Sequence, residues 1–146
     1  MDKKNKWLLF LFIVVIVYAL DRYTKYLSGM FRGCFGVCIK RSVNYGASFN
    51  LLQGFSFTLA LLIIVGIIVM FLSAFFYSKT KNKVSLEHWG LALLFSGTLA
   101  NLVDRAFYGY VIDFLTMPFA FPSFNLADLS NLAGVTLLII FLVKKK

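Results

Sequence analysis

Four apolar segments, each long enough to form a membrane-spanning helix, set the main limit on how this chain can fold. The first begins with residues 7–20, an uninterrupted run of 14 hydrophobic side chains. Such a run covers only about 21 Å of a hydrocarbon core about 30 Å thick, so we expect the helix to continue to residue 27. The other segments are residues 55–77, 86–107 and 124–143. The sequence therefore predicts an α-helical integral membrane protein, a single membrane domain (1–146) with four transmembrane helices.

The two connections on one side of these segments differ from an ordinary short loop. Residues 28–54 contain five glycines and short β-like stretches, such as residues 34–39. They predict a small element of strands and turns at the membrane surface. Residues 107–123 are predicted to form a surface loop between the third and fourth spans, and this loop carries Pro118 and Pro122.

The basic residues, which give a net charge of +9, cluster at the ends of the apolar segments. They do not follow one face of the chain, so no nucleic-acid partner is predicted. Nine of the 15 lie in residues 3–6, 78–83 and 144–146. The positive-inside rule then puts both termini in the cytoplasm.

The basic start and first apolar segment are also similar to a secretory signal peptide. Against cleavage, residues 18–20 do not form a small-x-small site, and Asp21 and Arg22 follow at once. We expect an uncleaved span.

Cys34 and Cys38 indicate little about function. With the single histidine, His88, they supply too few ligands for a zinc site, which needs about four. On one strand, residues four apart lie about 13 Å apart, too far for a disulfide, although a tight loop would allow one. We expect two unpaired thiols and no metal site.

Asp113 and Asp128 are the most informative acids. Asp113 lies in the apolar stretch 110–114, where an unpaired carboxylate is costly, and Asp128 lies near the start of the fourth span. A loop between them can bring the carboxylates together, so that one keeps a proton. The ionised carboxylate can then activate water while the protonated one polarises a carbonyl.

Several polar groups at the same face also have an interpretation that needs no catalysis, because such side chains commonly hold helix ends and turns together. These are Asp104 with Arg105 as an ion pair, Asp21 with Lys25 as an interfacial pair, Asn125 as a helix N-cap with Asp128 near the positive helix end, and Asn44 in a turn.

Five short motifs, in order along the chain, resemble those of the lipoprotein signal peptidases (signal peptidase II), aspartyl endopeptidases of the bacterial inner membrane. Residues 21–25 read DRYTK, 44–47 read NYGA, 101–105 read NLVDR, 109–114 read GYVIDF and 124–128 read FNLAD.

The resemblance implies that Asp113 and Asp128 are the catalytic pair. It also implies site-supporting or substrate-binding roles for Asp21, Lys25, Asn44, Gly46, Asn101, Asp104, Arg105 and Asn125. The implied substrate is a prolipoprotein with a diacylglyceryl group on its lipobox cysteine, cleaved just before that cysteine at the outer (periplasmic) face. No cofactor is implied. Residues 28–54 become an extracytoplasmic β-cradle, and globomycin-like cyclic peptides become expected inhibitors. We expect contact with membrane lipid and a monomer.

Two other functions fit a small chain of apolar helices. A transporter with proton-carrying acids predicts those acids near the bilayer midplane, whereas here they gather at one face. A non-catalytic membrane subunit predicts structural ion pairs, yet Asp113 has no basic residue nearby in sequence.

Overall fold

The computed structural model describes residues 2–35, 37–47, 52, 54–117 and 122–145. Four helices account for most of them. They are α1 (Lys3–Leu27), α2 (Thr58–Lys79), α3 (Leu86–Tyr108) and α4 (Leu126–Lys144). Each lies within a few residues of one predicted apolar segment, because the length of an uninterrupted apolar run sets the length of the helix.

The central helix, α3, differs in composition from the other three. Within the described residues, α1, α2 and α4 are long and apolar enough to cross a membrane, and α3 does not meet that criterion. It packs against all three other helices, so its buried face carries small and polar residues in place of large apolar ones. The buried residues are His88, Gly90, Leu91, Ala92, Ser96, Gly97, Ala100, Asn101 and Asp104.

Glycine allows α3 and α4 to approach each other closely. A Cβ atom at position 134 would lie 2.8 Å from the carbonyl oxygen of Gly90 and 2.8 Å from the amide nitrogen of Leu94. Both are backbone atoms, so neither can swing away as a side chain would. Gly134 therefore sets the distance between the two helices.

Gly134→Ala is expected to lower the free energy of unfolding by about 1–3 kcal/mol, as overpacking of a tight interface does. The melting temperature of the detergent-solubilised protein measures this. The matched control is Gly33→Ala, since a Cβ atom at position 33 meets nothing within 4 Å. Equal melting temperatures for the two variants would show that the helices separate without cost.

A three-stranded antiparallel sheet joins the two connections. Strands β1 (Gly33–Phe35) and β2 (Val37–Asn44) come from the first connection, as predicted, and β3 (Val111–Thr116) pairs with β2. The prediction of a surface loop between the third and fourth spans is therefore wrong for β3. A six-residue strand with a charged residue resembles a loop in sequence, and β2 stabilises it from about 70 residues away. Pro122 lies beyond β3, while Pro118 falls outside the described residues.

Cys34 and Cys38 form a disulfide, so the expectation of two free thiols is wrong. The two residues are direct partners on β1 and β2, with a Cα–Cα distance of 4.0 Å. The 13 Å separation applies to a single strand, whereas here the chain reverses direction between the cysteines.

The end of the bundle away from the sheet is fastened by apolar packing and by Lys6. Phe10 and Tyr77 are buried in the core there, with ring centroids 4.6 Å apart. Lys6 Nζ donates to the carbonyl oxygens of Ser78 and Thr80, each at 3.1 Å, at the C-terminal end of α2. The opposite end, with the sheet, holds the polar residues described next.

Candidate active site

Asp113 points both carboxylate oxygens at asparagine side chains. It lies in β3, opposite Ser42 of β2, and its side chain is 3% exposed. Oδ2 accepts a hydrogen bond from Nδ2 of Asn44 at 3.0 Å, and Oδ1 accepts one from Nδ2 of Asn125 at 2.6 Å. Ser42 donates its hydroxyl to the backbone oxygen of Asp113 at 3.1 Å. The strand pairing therefore fixes the carboxylate in one position.

Asp128 is held by the first turn of α4. It forms a capping box with Asn125, whose Oδ1 accepts from the Asp128 N–H at 2.9 Å. In return, Asp128 Oδ2 accepts from the Asn125 N–H at 3.1 Å. Its Oδ1 accepts from Nδ2 of Asn101 at 2.8 Å. Each of the four oxygens of Asp113 and Asp128 thus accepts one N–H.

The three asparagine amides around the carboxylates have fixed orientations. In each, the side-chain oxygen accepts from a group that can only donate, so Nδ2 must face the carboxylate. The donor distances are 2.9 Å from the Gly46 N–H to Asn44, 3.3 Å from Lys25 Nζ to Asn101 and 2.9 Å from the Asp128 N–H to Asn125.

A four-charge cluster, made of Asp21, Arg22, Lys25 and Asp104, lies beside these asparagines. Lys25 Nζ is 2.7 Å from Asp21 Oδ2 and 2.7 Å from Asp104 Oδ2. Arg22 bonds the same two acids, at 2.9 Å to Asp21 and 2.5 Å to Asp104. Both acids are 0% exposed. Since two positive charges balance two negative ones, the cluster can be buried without a net charge.

The four-charge cluster joins α1 to both helix ends that carry the site. Asp21 Oδ1 accepts from the N–H of Ala127, in the first turn of α4, at 3.1 Å. Lys25 reaches Asn101 of α3. A movement of α1 would therefore be transmitted to Asn101 and to the N-terminus of α4.

Arg105 ties α3 to the turn after β2. Its guanidinium donates to the carbonyl oxygen of Gly46 at 2.9 Å, and more weakly to that of Asn101 at 3.4 Å. Gly46 in turn donates its N–H to Asn44. Arg105 therefore supports the amide that bonds Asp113.

The pKa of Asp113 is raised to about 6, first by burial and then by the negative charge of Asp128. The hydrogen bonds from Asn44 and Asn125 favour the carboxylate and oppose this rise. A proton on Asp113 is therefore stable to about pH 6, well above the range of an exposed aspartate.

Asp113 and Asp128 border one cavity of about 570 Å³. It extends from Asp113 and Asp128 (together, the dyad) along α2, α3 and α4, and apolar side chains form most of its wall. The lining residues are Asn44, Ala47, Leu62, Val65, Gly66, Val69, Thr98, Asn101, Leu102, Arg105, Val111, Asp113, Met117, Pro122, Ser123, Phe124, Asp128, Leu129, Asn131 and Leu132.

Two structural alternatives from the sequence need correction, one in the partner of the ion pair and one in its location. Asp104 pairs with Arg22 and Lys25, and not with Arg105, because the cations of α1 are closer than its sequence neighbour. Asp21 and Lys25 do pair, at 2.7 Å, but the pair is buried and not interfacial, since Lys25 is 3% exposed and shared with Asp104.

Asn125 and Asn44 each make the structural contact that the sequence predicts and also a contact to Asp113. Asn125 is the N-cap of α4 and also donates to Asp113. Asn44 forms a turn with Gly46 and also donates to Asp113. One end of each amide holds the backbone and the other holds the carboxylate.

Arg22 and Ser42 contact the site but are absent from the residues singled out from the sequence. The sequence does indicate a role for Arg22, because an arginine within a membrane span requires a partner. It indicates none for Ser42, because only the register of β2 on β3 places its hydroxyl against Asp113.

Known proteins match this chain over most of its length. The profile of the family described as Signal peptidase (SPase) II matches residues 13–144. The lipoprotein signal peptidase of Geobacter sulfurreducens is 36% identical over 117 residues, covering 78% of this chain and 72% of that protein. That of Haemophilus influenzae is 32% identical over a 155-residue alignment, covering 94% and 86%.

Solved structures agree with these sequence matches. Two structures of bacterial membrane enzymes, determined by the in meso method, superpose with TM-scores of 0.82 and 0.80. They are 31% and 30% identical to this chain, which they cover to 92% and 94%, and the chain covers 87% and 94% of them. This protein therefore belongs to the signal peptidase II family.

Proposed function

We propose that this protein is an aspartic-type endopeptidase of the bacterial inner membrane that removes signal peptides from prolipoproteins. Its substrate carries a diacylglyceryl group on the lipobox cysteine, and cleavage falls just before that cysteine. Family membership supports signal-peptide removal. The observation that carries the aspartic mechanism is that Asp113 and Asp128 border one cavity and both bond Asn125.

In the proposed mechanism, Asp128 is the base and Asp113 is the acid. Asp128 lies at the N-terminal end of α4, where the helix dipole and two N–H donors favour a negative charge. It takes a proton from water, and the oxygen of that water attacks the scissile carbonyl. Asp113 donates its proton to the carbonyl oxygen. When the C–N bond of the tetrahedral intermediate breaks, the leaving amine takes the proton from Asp128, and a hydroxyl of the intermediate returns a proton to Asp113.

The N–H donors leave room for this chemistry. Each carboxylate oxygen uses one of its lone pairs on a fixed N–H, so the other remains for water, substrate or the shared proton. Asn44, Asn101 and Asn125 therefore act as positioning residues. Asp21, Lys25 and Asp104, with Arg22, support Asn101 and α4, and Arg105 with Gly46 supports Asn44.

In the proposed membrane arrangement α3 crosses the membrane together with α1, α2 and α4, so the single-domain monomer has four spans. Its 23 residues have the length to cross the hydrocarbon core, and its polar face is turned to the other helices. The basic residues at the far end from the sheet support cytoplasmic termini and a site at the outer, periplasmic face. A lipidated cysteine holds its scissile bond at that depth. The cavity next to the lipid phase offers space for acyl chains or for a globomycin-like cyclic peptide.

The direct test uses purified protein and two synthetic peptides that carry the same lipobox, one with and one without the diacylglyceryl group. We expect cleavage of the lipidated peptide only, with a new N-terminal lipidated cysteine identified by mass spectrometry. A globomycin-like peptide should inhibit it. Cleavage at another bond, or equal cleavage of both peptides, would contradict the proposal.

The pH dependence follows from the raised pKa of Asp113. Since the mechanism needs a proton on Asp113, kcat/KM should fall about tenfold per pH unit as pH rises above about 6. In Asn44→Ala the carboxylate loses a donor, so its pKa rises and the alkaline limb moves to higher pH. The measurement is kcat/KM across pH 4–9 (a range chosen to bracket about pH 6).

Ser42→Ala is the control for Asn44→Ala. Ser42 bonds the backbone oxygen of Asp113 and leaves its carboxylate untouched, so the alkaline limb should stay in place. If the alkaline limb of the kcat/KM profile is identical in wild type and Asn44→Ala, Asp113 is not the acid whose titration causes the loss of activity.

A further inference from the structure

A second polar pair lies in the cavity, in addition to the groups around the dyad. Thr98 of α3 and Asn131 of α4 both line its wall, with Thr98 Oγ1 3.3 Å from Asn131 Oδ1. The mechanism proposed above uses neither residue. Their neighbours on the cavity wall include apolar side chains of α2, namely Leu62, Val65 and Val69.

The Thr98–Asn131 pair lies about one helical turn from Asn101 and Asp128, on the same two helices. Asn131 follows Asp128 by three residues on α4, and Thr98 precedes Asn101 by three residues on α3. Because a helix rises about 1.5 Å per residue, the pair lies about 4.5 Å from the dyad, toward the middle of the helices. It is therefore on the path of any chain that runs from the dyad into the membrane.

The Asn131 amide has more hydrogen-bonding capacity than Thr98 can use. An asparagine carries two N–H groups, and the Thr98 hydroxyl can accept only one of them in either orientation of the amide. Within the described part of the chain, no group accepts a hydrogen bond from Asn131 Nδ2. When bound substrate fills the cavity and displaces water, an N–H on its wall is costly unless the substrate accepts from it. The matching ligand group is a carbonyl oxygen.

We propose that Thr98 and Asn131 form a binding subsite for a backbone carbonyl of the signal peptide, one or two residues before the scissile bond. This rests on the proposed function. An extended peptide rises about 3.3 Å per residue, so a carbonyl at that position reaches about 4.5 Å below the dyad. The carbonyl of a peptide inside a membrane needs a donor that the lipid does not supply. The acyl chains of the lipidated cysteine then contact the apolar side chains that α2 contributes to the cavity wall.

The experiment compares Asn131→Leu and Thr98→Val with wild type on two lipidated peptides. One peptide carries the diacylglyceryl group, and the other carries a dialkylglyceryl ether that has no ester carbonyl. Thr136→Val is the control, because its exposed hydroxyl donates to Leu132 O of its own helix. KM, kcat and the melting temperature are measured for each variant.

We expect Asn131→Leu to raise KM about tenfold on both peptides with little change in kcat, as loss of one neutral hydrogen bond to bound substrate does. Thr98→Val, which is isosteric and keeps the helix contacts, should raise KM about threefold because it frees the amide to rotate. Thr136→Val should match wild type.

Other results overturn the subsite in distinguishable ways. If the penalty appears only with the ester peptide, the ligand is the acyl ester. If folded variants keep the wild-type KM, the pair binds nothing, while the proposed function stands. If wild type cleaves neither peptide, the proposed function fails and the subsite fails with it.

Discussion

Asp113→Asn is expected to abolish cleavage of a lipidated prolipoprotein while the protein still accumulates in the membrane. The substitution keeps the shape of the side chain but removes the proton that polarises the scissile carbonyl. Loss of a general acid or base costs about 10²–10⁴-fold in rate, and Asp128→Asn should cost at least as much because it removes the base. The measurement is turnover of a lipidated peptide by purified enzyme.

Asp2→Asn is the matched control for these two variants. Asp2 precedes α1 at the far end of the bundle and is exposed, so the same change of charge should leave turnover unaltered. Full activity of either dyad variant would rule out the aspartic mechanism, even if the protein cleaves prolipoproteins by another route.

Lys25→Met is expected to have the second largest effect, on stability and on turnover together. It leaves Asp21 and Asp104 buried with only Arg22 to balance them. Breaking a buried ion pair in this way costs about 3–5 kcal/mol. It also removes one of the two donors to Oδ1 of Asn101 and leaves only Nδ2 of Asn125, at 3.2 Å, so the Asn101 amide that bonds Asp128 is held less firmly. The melting temperature in detergent and turnover report the two effects separately.

A double-mutant cycle separates these effects. Lys25→Met with Asp104→Asn restores charge balance, so the double variant should be more stable than the sum of the single losses predicts. Its turnover should stay below that of wild type, because Asn101 Oδ1 still lacks the Lys25 donor and is held by Asn125 alone. Lys144→Met, at the exposed end of α4, is the control. Strictly additive losses of stability would show that the four-charge cluster is not coupled.

The helices could be predicted because the length of an apolar run sets the length of the helix. The sheet could not, because its strands pair with segments that are distant in sequence. β3 is short, carries a charged residue and is stabilised by β2, which ends 67 residues before β3 begins at Val111. The disulfide was missed for a related reason, since the distance between Cys34 and Cys38 depends on the register of the hairpin.

The site divides in the same way. Asp113 and Asp128 could be singled out because an unpaired carboxylate in apolar surroundings is costly. The family motifs also imply that these two residues are the catalytic pair. Their partners could not be derived from local spacing. Asp104 pairs with cations of α1 that lie about 80 residues away, and not with the arginine beside it. Adjacent sequence positions predict a shared helix face, but only the packing of α1 against α3 decides which charges meet.

The capping box at the start of α4 has a practical consequence for trapping the enzyme with uncleaved substrate. Asp128 accepts the N–H of Asn125, so replacing it also loosens the start of its helix and frees the amide that bonds Asp113. Asp113 caps no helix, and its strand is held through backbone pairing and Ser42. An inactive variant made at Asp113 should therefore keep an intact binding groove, and is the better choice for crystallising a captured prolipoprotein.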